Sequence, residues 1–192
     1  MHRSLKVTTA ATTPVFTTAE AKAVLKVDVS DDDTVIDNLV AAATESCQIY
    51  TNQYFINTVV TQYSDTWDAF YTLYKSPVGS ITHIQYYDSD DTQQTLASSN
   101  YILDGTSKPA RIGIAIDGTL PNLSDRINAV EVKYTVGYGT ASTDVPEGIR
   151  QAVLLTLANW YQNRESVITG RTATELPLSS QYLLEQYKVQ VC

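Results

Sequence analysis

The residues that could do chemistry in this chain are few: His2 and His83, Cys47 and Cys192, and the acidic runs Asp28–Asp33 and Asp88–Asp91. A zinc site needs His and Cys at ligand spacing, and a nucleophile needs a base beside it. His83 lies in an alternating stretch with no Cys, Asp or Glu at ligand spacing, and reads as a partly exposed strand residue. The two cysteines give no metal or disulfide spacing and point to synthesis in a reducing compartment. Asp28-Val-Ser-Asp-Asp-Asp33 resembles a calcium loop only at a glance. Asp33 stands where that loop needs Gly, and Leu39 where it needs Glu. Carboxylates ahead of a helix are better read as capping and dipole groups. Asp88–Asp91 fails the same register and reads as a hairpin turn. Thr135-Val-Gly-Tyr-Gly139 spells a potassium filter, which works only as four copies in a membrane. Here it closes a strand, and its glycines make the turn into the next helix. No nucleophile elbow, phosphate loop or dinucleotide fingerprint is present. The expectation is no catalytic residue, no metal ligand and no cofactor-binding residue.

Composition narrows the class further. The chain has 192 residues with 43% hydrophobic and 18% charged residues, enough for one well-buried core. Its net charge of −8, with 13 scattered Lys and Arg, argues against gripping a nucleic-acid backbone. No apolar run approaches the roughly 20 residues that span a bilayer, and the first residues lack a signal-peptide core. We therefore expect a soluble protein. Thirteen Tyr against three Phe is the one compositional oddity, and it suits surfaces that contact other proteins.

The elements follow from periodicity. The stretch from Pro146 to Glu165 carries Ile149, Val153, Leu157, Trp160 and Tyr161 at steps of three and four, with Asp144 and Pro146 as start signals and Arg164 in the last turn. This predicts a helix deep in the core. Thr17-Thr-Ala-Glu20 is a capping box opening a short helix through Lys26. Ser30-Asp-Asp-Asp33 reads as a second box, opening a long helix with Ile36, Leu39, Val40, Ala43, Cys47, Tyr50 and Tyr54 on one face. Between them the period changes to two. Arg111–Asp117 and Val130–Val136 alternate cleanly, and Thr58–Tyr63, Phe70–Tyr74, Ile81–Tyr87 and Tyr101–Asp104 are weaker strands. Leu5–Val7 is a further short strand. The fold class is α+β: a helical core (residues 17–55 and 144–165) with an inserted antiparallel β-sheet or small barrel (56–137). Residues 166–192 read as a C-terminal arm, a polar segment followed by Leu176, Leu178, Tyr182, Leu183, Leu184 and Tyr187.

The order of these segments resembles a known family. Thr17-Thr-Ala-Glu-Ala-Lys-Ala-Val-Leu-Lys-Val-Asp28, the helix through Tyr50-Thr-Asn, Tyr101-Ile-Leu-Asp, Pro109-Ala-Arg-Ile and Val130–Tyr138 resemble head–tail connector (adaptor) proteins of tailed bacteriophages. Asp144-Val-Pro-Glu-Gly-Ile-Arg-Gln-Ala, Trp160-Tyr-Gln-Asn-Arg-Glu165, Leu176-Pro-Leu and Tyr182–Tyr187 continue the likeness in the same order, over residues 17–188.

That resemblance implies a virion structural protein, made in the host cytoplasm and located in the neck at the head–tail interface. It would assemble with itself as a ring of about twelve copies beneath the portal protein. The ring would pass DNA through its lumen without sequence-specific binding and dock a stopper or tail-completion protein. On this reading Leu176, Leu178, Tyr182, Leu183, Leu184 and Tyr187 form the portal-docking segment. Alternatives of other kinds are another neck component, such as a stopper or tail-completion protein, and a β-rich ligand-binding module that uses Tyr platforms.

Overall fold

The computed structural model describes residues 3–67, 72–163 and 176–190. They form an α+β fold of two compact units. One is helical, from residues 12–56 and 139–188; the other is built on a sheet, from residues 1–11, 57–138 and 189–192.

The helical unit begins at α1 (Thr18–Leu25). Thr17 caps it with the expected box: its hydroxyl accepts from Glu20 N at 3.3 Å, and Glu20 Oε2 accepts from Thr17 N at 2.8 Å. Lys26, at φ 56°, ends it in the left-handed region. The long helix α2 (Asp33–Thr51) follows, but its start differs from expectation. Asp32 is the N-cap with no side-chain capping bond, so Ser30 does not open a box; only its carbonyl accepts from Asp33 N. The carboxylates serve tertiary contacts instead. Asp33 pairs with Lys22 Nζ at 2.7 Å, Asp37 accepts from Thr18 Oγ1 at 2.6 Å, and Asp32 accepts from Tyr161 Oη at 2.7 Å.

Helix α3 (Glu147–Gln162) and the short α4 (Leu178–Glu185) complete this unit. Pro146 is the N-cap of α3, and Asp144 does not cap it. That carboxylate accepts from Ala141 N at 2.9 Å, closing the 3-10 turn Ser142–Asp144 just upstream. Gly139 must stay glycine there, because a Cβ would run into the Asp144 side chain. The interior is made by Ile36, Val40, Ala43 and Cys47 of α2, with Ile149, Ala152, Val153 and Leu157 of α3 and Leu184 of α4, all at most 3% exposed. A small-residue seam runs through it: Thr156 Oγ1 bonds Ala152 O and Ser180 Oγ, and Cys47 Sγ lies 4.0 Å from Thr156 Oγ1. Hydroxyls buried this way are tolerated because each finds a partner.

The sheet unit holds β1 (Arg3–Thr9), β2 (Thr58–Ser64), β3 (Val78–Tyr87), β4 (Gln93–Thr95) and β7 (Val130–Val136) in the order β1-β2-β7-β3-β4, with neighbours antiparallel. β5 (Tyr101–Asp104) and β6 (Arg111–Ile114) make a separate hairpin. The central strand β7 buries every second residue, Val130, Val132, Tyr134 and Val136, as its alternation requires. Val60, Leu73, Ile84, Leu96, Ala110, Ile112 and Ala129 join them in the core.

Two elements are shorter than the sequence suggests. β6 stops at Ile114, because Asn100 O captures Ala115 N at 3.0 Å and the chain turns at Ala115–Gly118. Of the expected strand Phe70–Tyr74, residues 70 and 71 lie outside the described residues, and Thr72 makes one bridge to Arg111. Arg164 also lies outside them. One buried polar side chain organises the segment after β2. Gln62, 2% exposed, donates from Nε2 to Thr72 O at 2.9 Å, and its Oε1 accepts from Tyr74 N at 3.1 Å and Tyr134 Oη at 3.3 Å.

Candidate functional site

Of the residues with chemical potential, His2 and Cys192 lie outside the described residues. Among the described residues, no group of three or more His, Cys, Asp or Glu could hold a metal ion. His83 sits on the polar face of the sheet, with Nε2 3.6 Å from Glu131 Oε1 and no hydrogen bond to it. Cys47 is sealed in the helical core, and burial pushes its thiol up to about 11, so it is protonated and inert at neutral pH. Asp88 closes the β3–β4 turn by accepting from Asp90 N and Thr92 N, each at 3.0 Å. Asp104 accepts from Ser107, Thr106 and Arg111, which hold its carboxyl well below the usual carboxylate range.

The segment read as a docking arm divides in two. Leu184 is fully buried in the helical unit, and Tyr187 lies against Gly148 of α3, where an added Cβ would come within 3.0 Å of its hydroxyl. Gln53 Nε2 donates to Tyr187 O at 2.8 Å, Tyr50 Oη donates to Glu185 at 2.6 Å, and Lys188 Nζ lies 4.5 Å above the Tyr50 ring. These contacts fasten α4 to α2 and α3. Leu176 and Leu183 are half-buried, whereas Leu178 and Tyr182, one turn apart, are 83% and 84% exposed. The core-helix residues divide similarly. Ile149, Val153 and Leu157 are fully buried; Trp160 and Tyr161, in the last turn of α3, are half-buried.

Sequence periodicity missed a second outward-facing apolar group. Ile102, Ile114, Ile116 and Ile127 of the sheet unit are exposed, Ile116 completely. Ile116 reads as the last inward member of an alternating strand. Its Asp117-Gly118 successors, a turn dipeptide, were the signal against that reading. The turn that carries it is fixed: Gly118 N donates to Ala115 O at 2.9 Å, and a Cβ on Gly118 would collide with the Asn100 backbone. In the helical unit Val29 and Ile49 are also exposed, at 60% and 70%.

Exposed aliphatic side chains and the exposed Tyr182 are compatible with a subunit of a larger assembly. Comparison with known proteins carries this further. Residues 14–175 match the family model described as head completion protein, so the chain belongs to the head completion protein family. No curated protein matches. Among solved structures, the fold is similar to a chain in the neck of an empty gene transfer agent (GTA) particle computed with C6 symmetry. The identity is 22% and the TM-score 0.79, over 98% of this chain and 97% of that one. A chain of the native GTA virion gives 21% and 0.80 over 98% and 96%, and one in the native GTA neck computed with C12 symmetry gives 21% and 0.73 over 98% and 97%. At this identity the likeness is one of fold, and it extends over nearly the whole chain.

Proposed function

We propose that this protein is the adaptor of a virion neck. It assembles as a ring of twelve copies beneath the portal protein, continues the DNA channel and offers its far side to a stopper or tail-completion protein. The observation that carries this reading is the near-complete overlap with a chain found in GTA necks, one of them computed with C12 symmetry, joined to membership of the head completion family. A net charge of −8 is compatible with a channel through which DNA slides, since phosphates are not held tightly by a surface poor in Lys and Arg. Family membership weighs against the β-rich ligand-binding module. The protein acts by occupying a place in the particle, and no catalytic step is assigned to it.

Quantitative mass spectrometry of purified particles tests the reading, with the portal protein as the internal standard. The expected result is one adaptor copy per portal copy, and tailless heads joined to portals when the gene is deleted. Copies in the hundreds per particle, or none, would overturn it. A stopper or tail-completion role would be indicated if the protein cross-linked to tail components but never to the portal.

A further inference from the structure

The five-stranded sheet has two open edges, and each is left incomplete in the same way. At one edge stands β1, seven residues paired, among the described residues, only with β2. Val7 and Leu5 stand opposite Val60 and Gln62 on the buried face. Those partners are sealed, at 0% and 2%, yet Val7 is 42% exposed and Leu5 is half-buried. The core's cover therefore stops at β2, and β1 keeps Leu5 and Val7 uncovered beside a backbone edge that no described residue pairs with.

At the other edge β4 is too short to finish the job. It pairs only with Gln85–Tyr87 of the ten-residue β3, Leu96 N donates to Ile84 O and Gly105 lies against Val78 O, so between them the outer side of Gly79–His83 faces no strand among the described residues. The residue of that stretch on the buried face, Ile81 opposite Tyr134, is only half-buried, and Gly79, Ser80 and Thr82 are exposed. A free edge of this kind is a template for another strand.

The strand directions say which strand. Counting across β1-β2-β7-β3, each neighbour antiparallel to the last, β1 and β3 run in opposite senses. Two copies related by a rotation that keeps their sheets in line would bring β1 of one beside β3 of the other as an antiparallel pair. Leu5 and Val7 would then fall on the same face as Ile81, and Lys6 on the same polar face as Ser80. A foreign partner would need only one edge. Two edges of one sheet with matching sense, Leu5 and Val7 uncovered on one and Ile81 half-buried on the other, are what a head-to-tail contact requires, and head-to-tail contacts close into rings when the rotation between copies closes.

We infer that the occupant of each edge is a second copy of this chain: β1 of one copy adds to the open stretch Gly79–His83 of the next, so that the sheets run on from subunit to subunit. The inference rests on the ring reading above. Opposed residues in an antiparallel pair have Cα atoms about 4.5–5.5 Å apart, within the span a disulfide bridges. The test therefore uses cysteine pairs in the full chain, in a Cys192→Ser background, with particles assembled in vivo and then mildly oxidised. Lys6→Cys combined with Ser80→Cys, and Lys6→Cys combined with His83→Cys, test the two polar-face positions of the open stretch on either side of the bulge at Thr82.

We expect one of the two to give a ladder of dimers, trimers and higher multimers on non-reducing gels, ending at the ring. Each single-cysteine variant should give none. Adaptor present at portal stoichiometry in particles of both double variants, with no ladder from either, overturns the edge contact and leaves the ring reading standing. Adaptor absent from wild-type particles, or present there as one copy, overturns both.

Discussion

A single glutamine shows how residue-scale polar accounting decides stability here. Gln62 occupies a core position on a strand, where a leucine would satisfy the pattern but not the chain around it. Replacing it removes the partner of Thr72 O, Tyr74 N and Tyr134 Oη together. Gln62→Leu should therefore destabilise the protein by about 2–4 kcal/mol, the cost of leaving buried backbone groups unpaired. Thermal unfolding would check it, and an unchanged melting temperature would show that water reaches those groups. Asp104 gives a pH signature of known sign. Its native carboxyl is held below the ordinary value of 3.8 by the hydroxyls of Ser107 and Thr106 and by Arg111. A carboxylate favoured in the native state adds stability above its unfolded pKa, and that contribution fades as pH falls through the native one. Asp104→Asn should thus melt earlier than wild type at neutral pH, with the gap narrowing below about pH 4. A gap that stayed constant with pH would mean that the carboxylate's charge contributes nothing.

At the scale of elements, α4 is the segment whose role the side chains divide. Leu184 faces inward and Leu178 and Tyr182 face outward, so substitutions one turn apart should fail differently. Leu184→Ala should cost about 2–5 kcal/mol through the cavity it leaves. Leu178→Ser with Tyr182→Ala should leave the melting temperature within a degree or two, as surface changes do, while lowering recovery of adaptor on portal-bearing heads. A stable double variant that still joined heads normally would remove α4 from the docking surface. The sequence made the elements legible where one face is buried and the period is clean: α2, α3, β2 and β7 all stand where periodicity puts them. It misled at ends. Asp144 and Ser30 have the right residue type for caps, but the Asp144 carboxylate closes a 3-10 turn and Asp32, not Ser30, stands at the N-cap of α2. Ile116 alternates correctly with Ile112 and Ile114, and only the grip of Asn100 on Ala115 turns it into an exposed tip. In the C-terminal segment the outward face was not legible, since apolar content marks Leu178 and Leu184 alike and cannot say which one faces solvent.

The whole molecule is assembled from pieces far apart in sequence. The helical unit pairs α2 with α3, and the sheet unit pairs β1 with β2 and β2 with β7. A chain ending at Asp144 would lack α3 and α4, so the α2 face of Ile36, Val40, Ala43 and Cys47 would have nothing to bury it. Such a fragment should lose most of its helical circular dichroism and precipitate. A monomeric fragment with intact helical signal would show that α1 and α2 suffice alone.

That interleaving also sets a timetable for synthesis. β1 leaves the ribosome well before β2 and waits for it, and the sheet's central strand arrives only near residue 130. The helical unit finishes later still, when residues 176–188 emerge to lock α4 onto α2 and α3. At roughly 5–20 residues per second the chain spends many seconds without a completed core. A chain cut short after Val136 carries every strand of the sheet but leaves the place of Leu184 in the helical core empty. Only a chain that runs through α4 completes the helical unit, and its last-made turn is what seals the first-made helices.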